Sequence, residues 1–148
     1  MFGACGPTSV VFACDHNCLR SPMAEGLAKW AVGERVFVQS AGVRSGLPVD
    51  GFAVAVLGEL GIDISHHCPR SFDEMESYGE DFSAYDLLVA FTPAAQRRAL
   101  EYTRHASLDV AYWPTLDPSA VEGSRPQRLE VYRQTRDAIL GRIRNLLG

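Results

Sequence analysis

Apolar residues along this chain fall into short continuous blocks separated by stretches at helical spacing. Val10 to Ala13, Val36 to Val38 and Leu87 to Phe91 are runs of strand formers, too short for helices. Leu108 to Trp113 is a fourth run, alternating enough to lie at a sheet edge. The stretches between and after them predict helices at about 22–33, 49–60, 93–104 and 126–147. Met23, Leu27 and Trp30 share one face of the first and read as core; Gly33 ends it. Phe52, Val56, Leu57 and Leu60 supply the buried face of the second, with Gly61 as its stop. Leu129, Tyr132, Ile139, Ile143 and Leu146 form the core face of the last. The acidic stretch 72–84 predicts a short solvated helix plus loop.

Strands alternating with helices predict an α/β fold, a four-stranded parallel sheet covered on both faces in three αβα layers. One domain over 1–148 is expected, with 1–7 as a flexible lead-in containing Gly3, Gly6 and Pro7. Ligands of such sheets sit beyond the carboxyl ends of the strands. The loops after the first strand and after the fourth therefore open on the same edge.

Composition changes this picture by exclusion. The chain is 47% hydrophobic and 22% charged, with no apolar run near the length of a membrane span. A net charge of -4 argues against a general nucleic-acid binder, so no nucleic-acid or membrane partner is expected. Lys29 is the one lysine of the sequence. Cys5, Cys14, Cys18 and Cys68 fit neither a zinc pattern nor a disulfide scaffold. Residues 1–7 lack the basic and apolar regions of a secretory signal. The expectation is a cytoplasmic, reducing location with no metal and no cofactor.

The chemistry concentrates between Thr8 and Gly26. A strand ends at Cys14, Arg20 follows six residues later, and a helix begins directly after. Ser21 reads as its N-cap, Pro22 as the first helical residue and Glu25 as the partner in a capping-box spacing. A loop entering a helix N-terminus presents backbone N–H groups and the positive end of the dipole, which together attract an anion. Arg20 adds a planar fork for two oxygens of one phosphate-like group. That field also favours a thiolate over a thiol. A thiolate facing a bound oxyanion is the setting for attack on its central atom.

Cys-x5-Arg-Ser-Pro-Met-Ala-Glu at 14–25, Ser-Ala-Gly at 40–42, Gly-Ile-Asp-Ile-Ser at 61–65 and Asp-Pro at 117–118 occur in that order. In this the chain resembles the low-molecular-weight protein tyrosine phosphatase family, which also contains a branch of arsenate reductases. The resemblance runs from about Val10 to Leu147. It implies that Cys14 is the nucleophile, that Arg20 binds the phosphoryl oxygens, and that Asp117 is general acid and then base. It makes Asp15, His16, Asn17, Cys18, Leu19 and Ser21 the rest of the phosphate-binding loop. Ser40 and His66, with Asn17 and Ser21, match positions that hold the loop.

Several residues depart from the family pattern. His16 stands where the family has glycine, so a side chain there either forces a different backbone or intrudes on the site. Asp15 places a carboxylate beside the nucleophile and is expected to face solvent. The family's second loop cysteine directly precedes the arginine; here Leu19 takes that place and Cys18 lies one residue earlier. A reversible Cys14–Cys18 disulfide stays open, subject to geometry. Ser119 and Ala120 follow Asp-Pro where the tyrosine phosphatases carry slot aromatics. Trp113 is either a substitute or a core residue.

The leading reading is a phosphomonoesterase of the protein tyrosine phosphatase type, weakly selective for phosphotyrosine. Its partners would be phosphate monoesters, phosphoproteins, or oxyanions such as phosphate, sulfate and arsenate. A second reading is an arsenate reductase, which the stretch from Asp117 to Asp137 resembles. Thioredoxin-coupled members need two further cysteines, and Ala90 to Tyr102 contains none. A third is a catalytically impaired oxyanion-binding regulatory protein.

Overall fold

The computed structural model of the chain describes residues 6–104 and 106–147. The first five residues of the expected lead-in, Cys5 included, lie outside the described residues. Four strands, β1 (Ser9–Cys14), β2 (Phe37–Gly42), β3 (Leu87–Ala90) and β4 (Asp109–Tyr112), form one sheet. They pair in the order β2-β1-β3-β4, all parallel. Five helices connect or follow them: α1 (Arg20–Val32), α2 (Gly51–Gly58), α3 (Phe72–Ser77), α4 (Pro93–Leu100) and α5 (Arg125–Leu147). The α/β fold expected from the sequence is the observed one, with β4 at an edge.

The alternation of side chains along β1 sorts the two cores. Val10, Phe12 and Cys14 pack with Met23 and Leu27 of α1, Val56 and Leu57 of α2, and Tyr132, Ile139 and Ile143 of α5. Val11 and Ala13 pack on the other face with Phe72 and Met75 of α3 and Ala95 and Ala99 of α4. Three helices on one face and two on the other make the three layers.

Local chemistry sets the helix starts. Asp50 caps α2 by accepting from the amides of Phe52 and Ala53. Ser71 and Glu74 form a capping box on α3, and Thr92 caps α4 by accepting from Ala95. Gly33 and Gly61, both at positive φ, follow α1 and α2 as expected. Trp30 departs from the expectation. It continues the Met23–Leu27 face, but that face ends there at a groove beside Gly61 and Ile62, and the indole is 47% exposed. The Arg144 guanidinium lies 5.8 Å from its ring. No helix among the described residues is long and apolar enough to cross a membrane.

Candidate active site

β1 is an inner strand, and Cys14 is its last residue, 3% exposed. The chain leaves the sheet there and enters α1 six residues later. Over this loop the carbonyls point outward. Those of Cys14 and Asp15 accept from the amides of Val43 and Arg44, and that of Cys18 accepts from Asp50. The amides of residues 15–19 donate to no protein acceptor among the described residues. Carbonyls turned out and amides left unclaimed are the polarity of an anion cradle.

Asn17 holds the loop from inside. It is fully buried and sits at φ 54°, the left-handed conformation that asparagine tolerates. Its Nδ2 donates to Ser21 Oγ and Ser40 Oγ, both at 2.9 Å. Its Oδ1 accepts from the Arg70 amide at 3.0 Å. His67 Nε2 lies 3.0 Å from both Asn17 O and Asn17 Oδ1. Two acceptors facing one ring nitrogen place the proton on Nε2. Burial pushes the His67 imidazolium below its ordinary pKa, and the bond to Asn17 opposes that in part.

Ser21 is not the cap of α1. The helix begins at Arg20, Leu19 occupies the cap position, and no side chain caps the end. Ser21 is buried in the first turn with Oγ 3.0 Å from Cys14 Sγ. Because that hydroxyl accepts from Asn17, its own proton is free to point at the sulfur. Glu25 likewise makes no capping box. It accepts from Ser40 Oγ at 2.5 Å and from Lys29 Nζ at 2.6 Å. A continuous path of polar contacts thus runs Lys29–Glu25–Ser40–Asn17–Ser21–Cys14.

The supporting histidine is His67 rather than His66. His66 is exposed, while its neighbour turns inward to Asn17. Gly42 has a steric duty that explains the Ser-Ala-Gly motif. A Cβ on it would lie 2.6 Å from Arg44 O, 2.8 Å from Asn17 N and 2.9 Å from the carbonyl carbon of His16. The loop therefore packs directly onto this glycine.

Cys14, Asp15, His16, Cys18, Arg20 and Asp117 share a cleft of about 490 Å³. Arg20 donates from Nη1 to Thr115 O at 2.7 Å. Asp117 accepts through Oδ1 from the amide and hydroxyl of Ser119, and its Oδ2 has no hydrogen-bond partner among the described residues. Leu47, Pro48 and Val49 form an aliphatic wall, and among the described residues no phenylalanine, tyrosine or tryptophan lines the cleft. Trp113 is a core residue, packed on Phe12 and Phe91 with ring centroids 6.2 and 6.1 Å away.

Asp15 does not simply face solvent. It is half-buried and accepts from Thr92 Oγ1 at 2.7 Å, which ties the loop to the cap of α4. Position 16 does not need glycine's freedom either, since Asn17 is the one non-glycine at positive φ among the described residues. Cys14, Cys18 and Cys68 are free thiols. Burial, with Cys14, Asp50 and Asp117 nearby, pushes the Cys18 thiol up to about 11, against the pull of Arg20. No cluster of three or more metal-ligating side chains occurs among the described residues.

The sequence pattern of the low molecular weight phosphotyrosine protein phosphatases matches residues 9–148. A glutaredoxin arsenate reductase from Synechocystis is 31% identical over 139 residues, 94% of this chain and 95% of that protein. The low molecular weight protein tyrosine phosphatase structure from T. tengcongensis superposes with a TM-score of 0.72 at 32% identity, covering 94% of this chain and 97% of that one. The YwlE arginine phosphatase, a Bacillus subtilis protein solved as a mutant with a phosphorylated active-site serine, gives 0.71 at 28% identity, covering 94% and 93%. By sequence and by fold, this chain belongs to the low molecular weight phosphotyrosine protein phosphatase family, whose members include phosphatases and arsenate reductases.

Proposed function

We propose that this chain is a phosphomonoesterase working through a phosphocysteine on Cys14. The observation that carries this reading is the loop polarity: unclaimed amides from 15 to 19 surround a buried cysteine that Ser21 hydrogen-bonds. The phosphoryl group would lie in that cradle with Arg20 on its oxygens. Sγ of the Cys14 thiolate attacks phosphorus, and the ester P–O bond breaks. Asp117 protonates the departing oxygen. Water then attacks the phosphocysteine, Asp117 takes its proton, and inorganic phosphate leaves with the thiolate restored. Loop amides and Arg20 supply the positive charge, as electrostatic stabilisation of phosphoryl transfer requires. A reducing, cytoplasmic setting that keeps Cys14 a thiol belongs to the same proposal.

The aliphatic wall at Leu47, Pro48 and Val49 supports weak preference for a phenyl ring. Peptides carrying phosphotyrosine, phosphoserine and phosphoarginine would rank the leaving groups, the last because one relative is named an arginine phosphatase.

Arsenate reduction is the second reading, favoured by the names of relatives such as the Synechocystis protein. Its two electrons come from a pair of thiols, so a second thiol has to resolve the adduct on Cys14. Cys18, pushed up to about 11, is a weak candidate, and Cys68 does not line the cleft. An external thiol would have to complete that reaction.

The test is aryl phosphate turnover across about pH 5–8, without added metal, for wild type, Cys14→Ser and Asp117→Asn, with thiol-dependent arsenate reduction run in parallel. Turnover abolished in the first variant and strongly reduced in the second supports the phosphatase. Arsenate reduction with negligible phosphatase activity moves the chain to the reductase reading. Oxyanion binding with neither reaction points to a regulatory binding protein.

A further inference from the structure

Arg125 and Arg128 lie one turn apart at the start of α5, over the same ring. Their guanidinium carbons stand 5.2 and 4.5 Å from the centroid of Phe52. Neither guanidinium forms an ion pair or a hydrogen bond among the described residues. Arg133 and Arg136, further along the same helix, are both engaged, with Glu59, Glu130 and Asp137. Glu122, three residues before Arg125, is exposed and pairs with neither of the two. Arg128 is half-buried, and its Nε is closed off without a partner, so its free donors are Nη1 and Nη2. A partly desolvated cation without a countercharge gains from an arriving anion. The helix end itself adds little, because Ser124 and Gln127 cap it reciprocally.

The pair stands at the rim of the cleft. Phe52 directly follows Asp50 and Gly51, which line the cleft beyond the Leu47–Val49 wall. Its ring packs on Tyr132, centroids 5.2 Å apart, and the Tyr132 hydroxyl donates to Asp50 Oδ2 at 3.0 Å. Asp50 Oδ1 accepts from the amides of Phe52 and Ala53. Both oxygens of that carboxylate are thus occupied, and it makes no ion pair with Arg125 or Arg128 among the described residues. On its other side α5 packs against Pro118–Ala120, the turn that follows Asp117.

The cleft sets the carboxylates of Asp15, Asp50 and Asp117 against the single guanidinium of Arg20. Such a lining repels an acidic substrate unless further cations stand at the mouth. We infer that Arg125 and Arg128 form a second anion subsite, which selects phosphopeptides with an acidic side chain beside the phosphorylated residue. The inference rests on the reading of the cleft as a phosphatase site and names its substrate class. The second anion must be tethered to the first by a chain long enough to cross the aliphatic wall, as a flanking residue of a peptide is. Each guanidinium then offers a planar fork to a carboxylate.

The probes are two phosphotyrosine peptides that differ only in carrying glutamate or glutamine on both sides of the phosphorylated residue. At low ionic strength kcat/KM of wild type should favour the glutamate peptide about tenfold. Salt at about 0.5 M should remove most of that preference. Arg125→Gln with Arg128→Gln should bring the ratio to one or below, since the cleft carboxylates then act alone. Arg125→Lys with Arg128→Lys should keep part of it through charge. Melting temperature confirms that both double variants fold. The same ratio is read as affinity by fluorescence anisotropy in a Cys14→Ser background, which frees it from turnover. A ratio near one with Arg125 and Arg128 in place, an equal ratio in the glutamine double variant, or binding of neither peptide overturns the inference. Absence of turnover with the binding preference intact sinks the phosphatase reading and leaves the subsite standing.

Discussion

Arg20 donates through Nη1 to the carbonyl oxygen of Thr115 at 2.7 Å, two residues before Asp117. The guanidinium at the end of the loop after β1 and the segment carrying the proposed acid are joined by that bond. A lysine at position 20 keeps a charge but loses the planar fork.

Arg20→Lys is therefore expected to lower kcat/KM for an aryl phosphate by about 10²–10³-fold. Asp117→Asn should lower kcat by about 10²–10⁴-fold, most for the worst leaving groups, without weakening sulfate binding. Steady-state kinetics over a series of phenols reads both. Equal losses for good and poor leaving groups would remove Asp117 from the role of acid.

Asn17 links Ser21, Ser40, His67 and the Arg70 amide. Asn17→Gly isolates that network, since glycine accepts a φ of 54° without strain. The groups left unpaired should cost about 2–4 kcal/mol in chemical denaturation, and turnover should fall at least about tenfold. A variant as active and as stable as wild type would show the network to be incidental.

Two glycines should respond oppositely to alanine. At Gly42 the new methyl would meet backbone atoms at 2.6–2.9 Å, which cannot swing away. Gly42→Ala should cost about 1–3 kcal/mol and weaken sulfate binding. Gly141, exposed inside α5, has nothing within 4 Å of its added Cβ. Gly141→Ala should stabilise by about 1 kcal/mol. Thermal melts of the pair decide both.

His67 carries a pH prediction of definite sign. Its folded pKa lies below the ordinary 6.5 because burial penalises the imidazolium. The unfolded chain therefore binds the proton first on acidification. The stability contributed by neutral His67 is complete above about pH 6.5 and is lost as pH falls through the lower folded value. Melting temperature of wild type should drop across that interval more steeply than that of His67→Gln. Parallel profiles would mean that other groups govern the acid limb.

Cys18 should be a slow thiol. With its pKa pushed up to about 11, the thiolate fraction near pH 7.5 is on the order of one in three thousand. Exposed Cys68 should react with iodoacetamide well before it. Peptide mapping of alkylated protein, with Cys14 replaced by serine, orders the two. Fast modification of Cys18 would restore it as a resolving thiol for arsenate reduction.

The sheet was readable in the sequence because each strand is a compact apolar block, and because four such blocks alternate with helical spacing. The edge position of β4 followed from the alternation within its run. Several site features were hidden, for reasons of distance or parity. Ser21 has the residue type and position of a helix cap, and only the approach of Cys14, seven residues back, redirects its hydroxyl. His66 and His67 are adjacent in sequence, and which one turns inward depends on how their segment lies against Asn17. Glu25 reads locally as half of a capping box; its partner, Ser40, is brought by the pairing of β2 with β1. Trp30 keeps the period of a core face, but the groove beside Gly61 ends that face. The steric demand on Gly42 comes from the loop after a neighbouring strand, which no spacing rule in the sequence encodes.

The segment between β2 and α2 is pinned to the oxyanion loop at two places, the Arg44 amide on Asp15 O and the Asp50 amide on Cys18 O. Leu47, Pro48 and Val49 hang between those pins and wall the cleft. Replacing these three changes what the mouth admits while both pins, and the cradle behind them, stay in place. Selectivity is thereby modular. On the proposed function, a library randomised at 47–49 would explore new substrates over an unchanged cradle.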